Sequence, residues 1–261
     1  MIFLIGANGF FGSAFSTYLK KKNINHKKIT KKNYKKFINK KCDLLINCST
    51  NSKKYIAEKF PAKDFVLTPM NVLNSIRDFK FKKYLLISTG DVYGLHNIKK
   101  SNESLKIEDL NFVTSYSFNK ILAEKILINS KKPHFIFRMG GLIGNNLKKN
   151  LIFDLINHLP LRFTLNSRFQ FINTEKAVDI IFKIINKKNT KNKIFNLSGK
   201  GQISVKQIID ILRKNHAIKK VIYFSEMKYV DYKISTKKIE NFIKLPRTVD
   251  TIKKFLKSYK K

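Results

Sequence analysis

The ten glycines of this 261-residue chain fall into only four groups, at 6/9/12, 90/94, 140/141/144 and 199/201. Where glycine is this scarce, grouping marks places where the backbone must turn sharply or approach a ligand closely. The first three groups each follow an apolar run: Ile2 to Ile5, Tyr84 to Ile87 and Phe135 to Phe137. Another run, Leu44-Leu45-Ile46, ends in the small and polar Asn47-Cys48-Ser49-Thr50. Short apolar runs that end this way and alternate with helical patterns are the signature of a buried parallel sheet. Ligands of such sheets bind outside the carboxyl ends of the strands. The glycines therefore point to one edge of one sheet.

The pattern predicts strand 2–6, helix 11–22, strand His26 to Ile29, helix 32–40, strand 43–48, helix 65–79, strand 84–88, helix 113–130 and strand 134–138. Farther on, Glu175 to Ile185 and Val205 to Asn215 have helical apolar spacing, while Lys193 to Leu197 and Val221 to Phe224 read as short strands. Only 13 residues separate Ile29 from Asp43, enough for one short helix and not for a further βαβ crossover. The expected fold is α/β, a doubly wound parallel sheet of Rossmann type with an abbreviated first half. Residues 1–150 would form the dinucleotide-binding domain. Residues 151–261 would form mainly a small substrate-binding lobe, returning in part to the sheet.

Gly6-Ala7-Asn8-Gly9-Phe10-Phe11-Gly12 lies at the first strand-to-helix turn. Glycines there let backbone approach a phosphate, and the helix N-terminus attracts its charge. A dinucleotide is the expected ligand and, if it is a nicotinamide cofactor, NADP in preference to NAD. NAD binding uses an Asp or Glu about 20 residues past the loop, on the ribose 2′-hydroxyl. No acidic residue occurs here before Asp43, and the second strand ends in Lys27-Lys28-Ile29-Thr30-Lys31-Lys32. Thr30 and the ammonium of Lys31 or Lys32 would suit a 2′-phosphate instead.

Thr-Ser-Tyr-Ser-Phe-Asn-Lys, residues 114–120, puts Tyr116 and Lys120 one turn apart on a helical face. A phenol titrates near ~10, and a neighbouring ammonium lowers that value, which makes proton exchange practical. In so lysine-rich a chain, the spacing alone has little force.

With these motifs in order, the whole chain resembles the extended short-chain dehydrogenase/reductase family, in its nucleotide-sugar epimerase/dehydratase/reductase branch. Ser88-Thr89-Gly90-Asp91-Val92-Tyr93-Gly94 resembles its Ser/Thr segment ending in Val-Tyr-Gly, and Tyr116 with Lys120 its catalytic Tyr-x-x-x-Lys. Arg138-Met139-Gly140-Gly141-Leu142-Ile143-Gly144 is similar to its Arg-x-x-Asn-Val-Tyr-Gly loop. Gln170 to Ala177, Phe195 to Gly199, and Ser235-Thr236-Lys237 with Leu245-Pro246 match later segments. The resemblance implies that Tyr116 donates or accepts a proton. Lys120 would lower its pKa and bind the nicotinamide ribose, and Thr89 would hydrogen-bond the same substrate oxygen. It implies further cofactor contacts at the Gly6–Gly12 loop, at Cys48-Ser49-Thr50 and at Met139. Substrate contacts would fall at Thr89, Asp91, Gly140, Gly141 and Arg168.

Three departures matter. Gly141 stands where the family has its loop asparagine. Phe169 stands where it has a phosphate-binding arginine, with Arg168 one residue earlier and so on the opposite face of a strand. The acidic pair of the dehydratases reads Gly90-Asp91, leaving Asp91 as an acid or as a hydrogen-bonded loop residue. The expected function is an NAD(P)H-dependent reductase of a keto group, at C4, on a nucleotide-activated sugar. The short chain resembles the dTDP-4-dehydrorhamnose reductase type. An epimerase using the same three residues is the alternative. A non-catalytic dinucleotide sensor is disfavoured by the intact Thr89, Tyr116 and Lys120. The resemblance also implies a homodimer paired through the helix at 113–130.

Composition excludes more than it selects. Lys+Arg 54 against Asp+Glu 17 gives a net charge of +37, which suggests nucleic acid, yet only six of these residues are Arg and the lysines are spread along the chain. Base and phosphate readout favours Arg, so nucleic acid is not the expected partner; a positive field suits anionic nucleotides equally well. Cys42, Cys48 and the five histidines lack ligand spacing, so neither a metal nor a disulfide framework is expected. The apolar start has no basic n-region and is broken by glycines, and no run approaches a membrane span. A cytoplasmic location is expected.

Overall fold

Alternate residues of each central strand face opposite sides of one sheet, and each side is covered by its own pair of helices. In the computed structural model, which describes residues 1–94, 101–105, 107, 114–187 and 193–259, six parallel strands form this sheet: β1 (Ile2–Ile5), β2 (His26–Ile29), β3 (Lys41–Asn47), β4 (Lys80–Thr89), β5 (His134–Met139) and β10 (Lys193–Leu197). Their order is β10-β5-β4-β3-β1-β2. Leu4, Ile46, Leu85, Phe135, Phe137 and Phe195 point to one face, where α1 (Phe10–Lys21) and α7 (Thr174–Ile185) bury Phe15, Leu19, Ile180 and Ile184 against them. Phe3, Ile5, Leu45, Tyr84, Leu86 and Ile136 point to the other, under α4 (Asn71–Asp78) and α5 (Ser115–Asn129) with Val72, Ala123 and Leu127. This is the period-two alternation of strands buried on both faces. Truncating one such side chain to Ala costs roughly 2–5 kcal/mol.

A third apolar cluster joins Ile143, Ile152, Leu155, Phe171, Ile208, Leu212 and Phe255. It sits among α6 (Leu151–Ile156), α8 (Val205–Lys214) and α10 (Thr248–Ser258). Three short strand pairs frame it: β6 (Gly141–Ile143) with β9 (Phe171–Asn173), β7 (Leu161–Phe163) with β12 (Tyr223–Lys228), and β8 (Arg168–Phe169) with β11 (Ile203–Ser204).

The expected abbreviation is present: among the described residues only β2 lies beyond β1. Several local expectations fail for identifiable reasons. The helix expected at 32–40 is a single 3₁₀ turn, Tyr34–Phe37. Asn33 accepts from the Thr30 amide (2.7 Å) and donates to Lys28 O (3.0 Å), a local alternative to helix. The helix expected at 65–79 begins earlier, as α2 (Lys54–Lys59) and α3 (Pro61–Phe65). It then passes through a π turn, Val66–Met70, because Pro69 lacks an amide donor. Strand β4 runs from Lys80, well before the expected start, and β12 lies two residues later than expected. Helix α5 is capped by Thr114, whose hydroxyl accepts from the Ser117 amide at 3.2 Å. Val113 and His96 lie outside the described residues.

Candidate active site

The sheet reverses its winding at β1, which has β2 on one side and β3 on the other. A crevice for ligands opens at such a point. Gly6 follows β1 with φ +79°, and a β-carbon on it would lie 2.8 Å from the Cys48 carbonyl carbon and the Ser49 amide. One on Gly12 would lie 2.0 Å from Gly6 O. No side chain fits at either position. The Gly9 amide donates to Gly6 O at 2.9 Å, closing the turn into α1, whose first turn carries no acidic residue. Asn8 and Gly9 are exposed at this edge, and Phe10 is half-buried. The Phe11 ring lies in the core against Phe15, centroids 5.1 Å apart, so it is the backbone of Phe11 that the loop offers to a ligand. A bare backbone cradle at a helix N-terminus fits a dinucleotide pyrophosphate.

The end of β3 forms the crevice's second wall. Buried Asn47 donates to Asn71 (2.9 Å) and Tyr84 (2.7 Å) and accepts from the amide and hydroxyl of Ser49 (2.9 and 2.8 Å). Cys48 is half-buried, and burial pushes its thiol well above the usual range. Thr50 accepts from the Lys120 ammonium at 2.7 Å. At the end of β2 the Thr30 hydroxyl donates to Asn33 at 3.2 Å, and Lys31 and Lys32 are exposed.

Helix α5 brings Tyr116 and Lys120 to the same edge, both buried, with the ammonium 5.5 Å from the phenol ring centroid. Burial pulls Lys120 down to about 8, against Asp64, the foremost influence raising it. The Tyr116 phenol is pushed well above its ordinary value by burial, then by Asp91 and Asp64. The lowering expected from Lys120 is therefore not the net result in this geometry. Thr89, last residue of β4, donates to Asp91 at 3.0 Å and accepts from its amide at 3.2 Å. Lys54 pairs with the same carboxylate at 3.0 Å. Asp91 is thus a hydrogen-bonded, ion-paired turn residue.

Residues 2–198 match the profile of the NAD dependent epimerase/dehydratase family. The chain belongs to this family. No curated protein matches it by sequence. Among solved structures, UDP-galactose 4-epimerase is similar at TM-score 0.77 and 16% identity, covering 98% of this chain and 97% of that one. The dTDP-4-dehydrorhamnose reductase of Bacillus anthracis str. Ames, in complex with NADP, gives 0.77 and 16% over 99% and 98%. MoeE5, in complex with UDP-glucuronic acid and NAD, gives 0.83 and 11% over 98% and 99%. An NAD(P)-dependent enzyme of the extended short-chain dehydrogenase/reductase type is what membership in the epimerase/dehydratase family means for the site.

Beneath the site of this family member runs a buried ion pair. Arg138 on β5 donates to Glu124 on α5 (Nη2 to Oε2, 2.6 Å), and Glu124 also accepts from Ser88 on β4 at 2.5 Å. Arg138 reaches Tyr93 at 2.9 Å, and Tyr93 donates to Asn196 on β10 at 2.8 Å. The network locks the Thr89 turn against the helix bearing Tyr116.

On the substrate side, Gly141 has a physical reason to depart from the family pattern. A β-carbon there would lie 2.6 Å from both Gln170 O and the Phe171 ring, and its amide already donates to Gln170 O at 3.1 Å. The Gly140 amide donates to Leu197 O at 2.9 Å. Phe169 packs on Phe163, centroids 5.1 Å apart, while Arg168 is exposed and paired with Asp231 (Nη2 to Oδ2, 2.5 Å). Three residues near the site escape sequence reasoning: Asp64, Lys54 and Tyr232. The Tyr232 hydroxyl donates to Met139 O at 3.4 Å and would lie 2.3 Å from a β-carbon at position 90, so Gly90 is the space Tyr232 fills. No signal in the sequence marks a tyrosine 142 residues away as its neighbour.

Proposed function

We propose that this family member is an NADPH-dependent reductase of a keto group, at C4, on a nucleotide-activated sugar. The observation that carries the reading is the buried Tyr116 with Lys120 5.5 Å from its ring, the lysine held in turn by Thr50 at the end of β3. A reductase must give a proton to the nascent alkoxide, and a phenol that holds its proton at neutral pH is set to do so. An enzyme that begins by oxidising a hydroxyl needs the phenolate first. Position 90, filled by Tyr232, leaves no room for the first acid of a dehydratase pair.

The cradle of Gly6, Gly9 and Gly12, with Ser49 and Thr50, would hold the dinucleotide, and the exposed lysines at 31 and 32 support the phosphorylated form. When bound, the nicotinamide supplies hydride. Tyr116 supplies the proton, Thr89 hydrogen-bonds the reacting oxygen, and Lys120 orients the ribose through the edge it shares with Thr50. Gly140, Gly141 and Arg168 would border the sugar nucleotide. Exposed Phe65, Val66, Leu73 and Phe118 on the α3–α5 surface support a homodimer.

The test is incubation with NADPH and nucleotide-4-keto-sugars, following NADPH oxidation and the product. Stoichiometric oxidation with formation of a C4 hydroxyl supports the reading. Interconversion of C4 epimers without net NADPH loss would replace it with an epimerase.

A further inference from the structure

The base of the site contains a charged group that the proposed chemistry leaves unused. Asp64, on α3, is fully buried. Its Oδ1 accepts from Asn51 at 2.7 Å and from Thr68 of the π turn at 3.1 Å, and its Oδ2 accepts from Asn119 at 2.7 Å. Asn51 follows Thr50, the acceptor of the Lys120 ammonium; Asn119 precedes Lys120 itself. One carboxylate therefore grips both walls that hold the lysine.

Charge points the same way. Asp64, Glu124 and Asp91 all favour the charged form of Lys120, and Lys149 opposes it. Glu124 is already neutralised by Arg138 at 2.6 Å and Asp91 by Lys54 at 3.0 Å. Among the described residues, Asp64 forms no salt bridge of its own, and neither does Lys120. The remaining titratable neighbours, Tyr116 and Cys48, are raised by burial and stay neutral. An isolated buried charge is costly unless an opposite charge acts on it through the same low-dielectric medium. Asp64 and Lys120 satisfy this for each other across a layer of amides and one hydroxyl.

We infer that Asp64 is a positioning residue, clamping the Thr50–Asn51 segment to the Tyr116–Lys120 face of α5 and supplying the counter-charge for Lys120. The inference rests on the proposed role of Lys120 at the cofactor, but one arm of its test does not.

Asp64→Asn keeps the shape and removes the charge, and Asn119 can turn its amide to suit. NADPH binding, followed by fluorescence from pH 6.5 to 9.5 with Lys149, which burial also holds at about 8, replaced by Met in both proteins, is expected to weaken in the parent as pH rises through about 8, where Lys120 loses its proton. In Asp64→Asn that limb is expected to move down by roughly one pH unit, because the ammonium has lost its main support. An unmoved limb in the folded variant overturns the counter-charge. The second arm needs no cofactor. Lys120→Met leaves Asp64 buried and uncompensated, so the double variant Lys120→Met/Asp64→Asn is expected to melt at a higher temperature than Lys120→Met alone. A double variant that melts lower overturns the inference, whether or not Asp64→Asn folds by itself. Affinity independent of pH in both proteins would sink the cofactor role of Lys120 instead, and the melting comparison then decides Asp64.

Discussion

Two oppositely charged influences meet at Tyr116: the ammonium of Lys120, 5.5 Å from its ring, and the carboxylates of Asp91 and Asp64. Burial tips the balance toward the neutral phenol. The proposed proton donor is lost outright when the hydroxyl is removed. Tyr116→Phe is expected to lower turnover at least ~10²-fold while leaving NADPH affinity nearly unchanged, measured by single-turnover kinetics and fluorescence titration. The phenol's partners could only be half read from the chain. Lys120 follows at helical spacing, whereas Asp64 stands in Pro61-Ala62-Lys63-Asp64-Phe65, where nothing distinguishes it from a solvated surface acid. Its burial comes from the π turn and α5 folding over it, and such long-range contacts leave no local trace.

At the level of elements, the β1–α1 turn was the most legible part of the molecule. Gly6 needs a positive φ, Gly6 and Gly12 both need the absence of a β-carbon, and only one residue type meets those needs. Gly12→Ala is expected to destabilise the protein by about 1–3 kcal/mol through overpacking on Gly6 O, and to abolish measurable dinucleotide binding; thermal melting and titration check both. The end of β2 was legible as charge but not as geometry. Thr30 proves to be engaged with Asn33, which leaves exposed Lys31 and Lys32 to carry the proposed 2′-phosphate contact. NADPH is expected to bind more tightly than NADH at moderate salt. Replacing both lysines by alanine is expected to weaken NADPH at least about fivefold with little effect on NADH. Helix 65–79 was read correctly in kind and wrongly in outline, since periodicity cannot reveal that Pro69 sits inside a π turn.

On the scale of the whole molecule, α4 and α5 pack side by side over the same sheet face and expose Leu73 and Phe118, and Phe65 and Val66 of the preceding turns are exposed as well. Apolar side chains clustered on one surface are the usual mark of a partner. Phe118→Lys combined with Val66→Lys is expected to convert a dimer to monomers in sedimentation or light scattering; an unchanged mass excludes this surface. Among the described residues no helix is long and apolar enough to cross a membrane. The abbreviated sheet has one more consequence. With nothing beyond it among the described residues, β2 is an edge strand, capped in part where Asn33 donates to Lys28 O. Such a margin invites the strand of another molecule to dock and begin an aggregate. Lys27 and Lys28, both exposed on that four-residue strand, set charge against charge between any two copies brought together there. The lysines at this border act as gatekeepers against fibrillar association.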